Sequence, residues 1–115
     1  MVEFGLCFAK ERIERIADKV EESQKYIKML SGKDVELPQK IDCMTLKDIE
    51  DGRIAGGGHG EFIPPNTIKI NPFMDDLGVL LNYIHENIHY VLPSASENLV
   101  DHLTDLVAFQ MKLQR

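Results

Sequence analysis

The sequence predicts a single α+β domain spanning residues 1–115: a long N-terminal helix, a small three-stranded sheet of mixed or antiparallel pairing, and two further helices joined by a short link. Three observations predict it. Apolar residues recur at spacings of three and four in three separate stretches, as amphipathic helices require. The stretch between the first two consists of short alternating pieces separated by turn residues. The length of 115 residues suits one modest hydrophobic core and not two.

Taken in order, Val2, Phe4, Leu6 and Phe8 alternate with Glu3, Gly5 and Cys7. This fits either a short strand or an apolar lead-in packed under the next helix. From Ala9 to Leu30 the pattern is helical, with Ile13, Ile16, Val20, Ile27 and Leu30 on one face. Glu11, Arg12, Arg15, Asp18, Lys19, Glu21 and Glu22 form a solvated opposite face, and Ser31-Gly32 supplies a C-terminal cap. Between Lys33 and Ile70 the candidate strands are Ile41–Leu46, Arg53–Ile63 and Thr67–Asn71. The run Gly56-Gly57-Gly58-His59-Gly60 is no phosphate cradle, because neither a helix start nor Gly-Lys-Ser/Thr follows it. It reads as a hairpin tip, or as an edge strand stripped of side chains so that a peptide can lie along its backbone.

Asn71-Pro72 opens a second helix, with an N-cap followed by proline at the first helical position. Phe73, Leu77, Leu80, Leu81, Ile84, Ile88 and Val91 form its stripe, and Pro93 stops it by Leu92. A third helix begins at Ser94 or Ser96 and runs to about Lys112, with Leu99, Val100, Leu103, Leu106, Val107 and Met111 as its core face.

Composition narrows the function classes. Hydrophobic residues at 43% and charged residues at 28% are ordinary for a soluble globular protein. A net charge of −6 without a Lys/Arg cluster speaks against a nucleic-acid interface. Cys7 and Cys43, in no metal-ligand spacing, set metal–thiolate chemistry aside, and so low a cysteine count suits a reducing cytoplasm. Met1–Phe8 is too short for a signal segment, and no apolar run approaches the roughly 20 residues that span a bilayer.

The chemistry concentrates at His85-Glu86-Asn87-Ile88-His89. Residues i and i+4 share a helix face, so both imidazoles can reach one metal ion, and Glu86 can reach a water beside it. On a helical wheel the two rings lie about 40° apart at the border of the apolar arc, at the edge of a cleft. Gly78, at about 20°, leaves room on that same face.

A zinc ion needs a third protein ligand and one open position. The candidates are Glu97, Asp101, His102 and Asp105 downstream, and His59 upstream. An antiparallel hairpin around Pro93 returns Glu97 to the axial height of His89. Glu97 and Asp101 then share a flank with the small residues Thr104 and Ala108, whereas His102 borders the other flank. Asp101, one turn after Glu97, can hold a ligand imidazole by its second nitrogen. Glu97 has a rival reading, as the closing residue of a capping box Ser94-Ala95-Ser96-Glu97.

His-Glu-Asn-Ile-His followed by Ser-Glu-Asn-Leu-Val-Asp resembles the gluzincin metallopeptidases. The size and the short link between motif and glutamate resemble the minigluzincins, minimal soluble archaeal zincins similar to the catalytic core of integral-membrane metallopeptidases. The resemblance implies a zincin-like fold with an active-site helix and a glutamate helix. It also implies one zinc ion on His85, His89 and Glu97, support from Asp101, and Glu86 as general base. An upper-rim strand within Arg53–Ile63 would pair with the backbone of a peptide or unfolded-protein substrate. Members of that group are latent, with a C-terminal segment across the cleft, whereas Phe109–Arg115 reads here as a continuous helix end. No residue matches an oxyanion stabiliser outright; His59, Tyr90 and His102 are the candidates. The rival function is a catalytically silent zinc module that binds or regulates, and a homodimer is among the expected assemblies.

Overall fold

The chain begins with a strand, a long helix and a second strand, an order that lets the two strands lie parallel with the helix as crossover. The computed structural model describes residues 2–45 and 60–113. In chain order these hold β1 (Glu3–Phe4), α1 (Lys10–Ser31), β2 (Lys40–Cys43), β3 (Gly60–Ile63), β4 (Thr67–Ile70), α2 (Asp76–Val91) and α3 (Glu97–Gln110).

The sheet has four strands in the order β1-β2-β4-β3, which corrects the expected three. The additional strand is β1, two residues long and parallel to β2 through Glu3 N–H to Gln39 O at 2.7 Å and Gly5 N–H to Ile41 O at 2.8 Å. Its local alternation is too short to announce it; the partner supplied by the α1 crossover makes it a strand. Phe8, just beyond, is buried, so the apolar lead-in reading holds as well. β2 and β4 pair in parallel, and β3 runs antiparallel to β4 with Gly60 opposite Ile70 and Ile63 opposite Thr67. The expected strand Arg53–Ile63 is thus described only over its last four residues, and Gly56 to His59 lie outside the described residues.

α1 buries Ile16, Val20, Ser23 and Ile27 and ends at Gly32, whose φ of 69° is left-handed and whose N–H reaches Lys28 O. That is the termination Ser31-Gly32 predicts. α2 starts four residues later than Asn71-Pro72 suggested. Asn71 Oδ1 accepts from Phe73 N–H in a local turn, and Phe73 is 73% exposed instead of joining the core. Asp75 is the actual cap, accepting from Gly78 N–H at 2.7 Å. A Cβ on Gly78 would meet Met74 Cε at 2.7 Å and Asp75 Oδ1 at 3.0 Å. The glycine therefore makes room for the cap and its neighbour, not for the metal cleft.

Two clusters form the core. Ile41, Ile68 and Ile70 of the sheet pack with Ile16, Val20, Val79, Leu80 and Tyr83; Ile27, Leu37, Ile84, Ile88 and Val91 pack with Val100 and Val107 of α3. Tyr83 is fully buried, and its hydroxyl accepts from Gln24 Nε2 at 2.8 Å and donates to Pro38 O. Burial pushes its pKa up to about 12. Cys7 and Cys43, 36 residues apart, are joined in a disulfide that ties the loop after β1 to the end of β2. The sequence offered no spacing from which to pair them, and their pairing removes the support that the low cysteine count lent to a reducing cytoplasm.

α1 is locked to the start of α2 by a cationic clamp. Arg12 gives Nε to Asp76 Oδ1 at 2.9 Å and its other nitrogens to Pro72 O and Met74 O, while Arg15 Nε reaches Asp76 Oδ2 at 2.6 Å. The Arg15 hydrogen bond and charge, then those of Arg12, hold the Asp76 carboxyl below its ordinary range against the opposing effect of burial. A depressed carboxyl contributes stability above its unfolded-state pKa and loses it as pH falls below about 4. Asp76→Asn is therefore expected to cost about 1 kcal/mol at pH 7. The deficit should shrink steadily from about pH 4 to about pH 2 in denaturant titrations; an equal deficit at pH 7 and pH 2 would reject the ion-pair origin.

α3 ends earlier than expected. Met111 caps it, Lys112 takes a φ of 59°, and Leu113 turns back to pack against both clusters. The continuous helix end read into Phe109–Arg115 is thus broken at Lys112, and residues 114 and 115 lie outside the described residues. No helix of the described residues is long and apolar enough to cross a membrane.

Candidate metal centre

The C-terminal half of α2 carries His85, Glu86 and His89 past the buried stripe Tyr83–Ile84–Ile88–Val91. The two imidazoles border that stripe, as the wheel predicts, with side-chain exposures of 21% and 29%. Their Nε2 atoms face each other at 3.2 Å and the rings meet edge to face.

Leu92 caps α2 with its N–H on Ile88 O, Pro93 follows, and Ala95 N–H turns back to Leu92 O at 3.0 Å. Ser96 then caps α3 by accepting from Leu99 N–H at 3.2 Å. This disposes of the capping-box reading. With Ser96 as cap, Glu97 is the first residue of the helix and not the third, so its carboxylate is not the one that closes the box. It points instead across the hairpin, with Oε1 2.7 Å from His89 Nε2 and Oε2 3.3 Å from His85 Nε2.

His85, His89 and Glu97 thus form a group able to hold a metal ion, with one ligand atom from each within 4.8 Å of the others. Asp101, one turn further along α3, places Oδ1 3.3 Å from His85 Nδ1. Both nitrogens of His85 therefore face carboxylates. The donor chemistry fits a divalent cation: two imidazole nitrogens and an anionic oxygen converge, and a carboxylate fixes the remote nitrogen of one ring. The exposure of Glu97, 69%, leaves the group open on its solvent side.

The rotation of α3 produces this arrangement. Its apolar residues predict a face centred on Leu103, yet Val100, Thr104 and Val107 are buried while Leu99 and Leu106 are exposed. The buried face is rotated by roughly 60° toward the Glu97 flank. Thr104, small and with its hydroxyl bonded back to Val100 O at 2.7 Å, permits the close approach.

Glu86 is half-buried, and its side chain lies against β3 at Gly60. Burial, then the charges of Glu97 and Glu61, pushes its pKa up to about 7. Of the remaining candidates, His59 lies outside the described residues. His102 is exposed and not part of the group, as its place on the other flank of α3 implied. Tyr90 sets its ring against Phe62 of β3, centroids 4.9 Å apart. Gly60 and Phe62, inside the expected strand Arg53–Ile63, stand against Glu86 and Tyr90 of α2, a placement the sequence does not specify.

Compared with protein-family models, curated proteins and solved structures, the chain matches none.

Proposed function

We propose that this chain is a zinc-dependent peptidase of the gluzincin type. The observation that carries the reading is the Glu97 carboxylate meeting both Nε2 atoms of the His85–His89 pair from the next helix, with Asp101 behind His85. Two histidines and one carboxylate with an open side are the ligand set of catalytic zinc, not of a closed structural site. Zinc held there supplies a Lewis acid for the scissile carbonyl and lowers the pKa of water.

The residues of the chain do the rest. His85, His89 and Glu97 bind, and Asp101 keeps His85 in the tautomer that offers Nε2. Glu86 accepts a proton from the attacking water and delivers it to the amide nitrogen as the C–N bond breaks. Acid and amine products leave, and Glu86 returns to its starting state. β3 is an edge strand whose outer side has no strand partner among the described residues, so a substrate backbone can add to it.

The test is direct. Zinc-loaded protein should cleave an unstructured substrate such as casein above a metal-stripped control, and untagged protein should hold one zinc per chain. Stoichiometric zinc without cleavage would favour the silent binding module; zinc well below one per chain would sink both readings.

Asp101 gives a finer expectation. Asp101→Asn should weaken zinc binding about 10–100-fold in a chelator competition titration. Its side chain is 63% exposed, so thermal stability of the metal-free protein should barely move. Unchanged affinity would show that His85 needs no anchor.

A further inference from the structure

Among the described residues, no hydrogen bond or ion pair is made by the Glu86 carboxylate, and the contact that bears on its position is packing. The element packed on it is β3. A Cβ built on Gly60 would lie 3.0 Å from Glu86 Cγ and 3.6 Å from Cδ and Oε2. A real Cβ rarely comes that near, so the Glu86 side chain occupies space that any other residue at position 60 would contest.

The neighbouring contact has the same register. Phe62, two residues along and on the same strand face, rests on Tyr90, four residues along α2 from Glu86. β3 thus lies over the Glu86–Tyr90 row, held at Tyr90 by an aromatic contact and open at Glu86 through the missing side chain. Gly60 does not have a left-handed φ, so its backbone does not demand glycine. Its pairing opposite Ile70 fixes the strand against β4.

We propose that Gly60 is a positioning residue: the space left by its absent side chain, set in depth by the Phe62–Tyr90 contact, is the slot that orients the Glu86 carboxylate. The geometric claim stands on its own; its effect on turnover rests on the peptidase reading.

A thermal cycle tests the geometry without any activity. In an Glu86→Ala background the contested Cγ is gone, and Gly60→Ala should raise Tm by stiffening the unfolded chain. In the wild-type background the same change should leave Tm flat or lower it, because Glu86 must give way. Equal Tm increments in the two backgrounds would overturn the proposal. Failure of Gly60→Ala to fold, relieved by Glu86→Ala, would support it, whereas failure in both backgrounds would overturn it.

Turnover adds the catalytic arm. Displacing Glu86 by a few tenths of an ångström should lower kcat about tenfold, with KM and zinc affinity unchanged. Wild-type kcat in Gly60→Ala would reject the positioning role. An inactive zinc-loaded wild type would reject the peptidase reading instead, and the two Tm increments would still decide the slot.

Discussion

Glu86→Ala is expected to leave zinc binding intact and to lower peptide hydrolysis by about 10²–10⁴-fold, the range that a positioned general base supplies. The two effects separate because the atoms able to hold a metal ion belong to His85, His89 and Glu97, and Glu86 is not among them. Alanine suits a helix interior, so α2 keeps its geometry and the imidazoles their spacing. Removing the Glu86 carboxylate takes no ligand atom from the group. Zinc content by metal analysis, together with initial rates on an unstructured substrate, checks both halves. Wild-type turnover in this variant would mean that water is activated by some other group.

Ile84→Ala carries the largest expected loss of stability. Ile84 is fully buried immediately before His85 and packs with Ile27 of α1, Leu37, and Val100 and Val107 of α3. Truncation removes three carbons from the place where three helices meet. Neighbours fixed on separate elements can close only part of the cavity, so the cost should be about 2–5 kcal/mol. A domain of this size has only about 5–15 kcal/mol in all. Urea unfolding should show a lower midpoint with an unchanged slope. A cost below about 1 kcal/mol would mean that α1, α2 and α3 are not packed around this residue as described.

The parts of the fold that were legible in the sequence are those encoded locally. Gly32 ends α1 because its backbone adopts a left-handed φ, and Pro93 ends α2 because the residue before it cannot continue a helix. Thr67–Ile70 alternates and is a strand; Ile16, Val20 and Ile27 keep helical spacing and are buried. Less legible was the choice between equally good local signals. Asn71-Pro72 and Asp75 are both acceptable helix starts, and the chain uses Asp75 because Arg12 and Arg15 hold the next residue, Asp76, against α1. A two-residue strand such as β1 has almost no pattern of its own, and its existence depends on β2 lying beside it. Cys7 and Cys43 meet only because the crossover returns β2 to β1.

By itself the sequence determined which residues can be ligands: helical periodicity puts His85 and His89 on one face, and a short link to Glu97 limits where that carboxylate can go. It could not decide between Glu97 as cap and Glu97 beside the two histidines, because both use the same few residues. That was decided by the rotation of α3 against α2. Burying Thr104 and leaving Leu99 and Leu106 outside swings the Glu97–Asp101 flank onto the two histidines. Periodicity supplies an apolar arc, but shape and close approach select which edge of the arc is buried, and these belong to the partner helix. The same limit holds for Gly60. A glycine in a strand says only that a side chain is absent; the helix lying across it shows that the space belongs to Glu86.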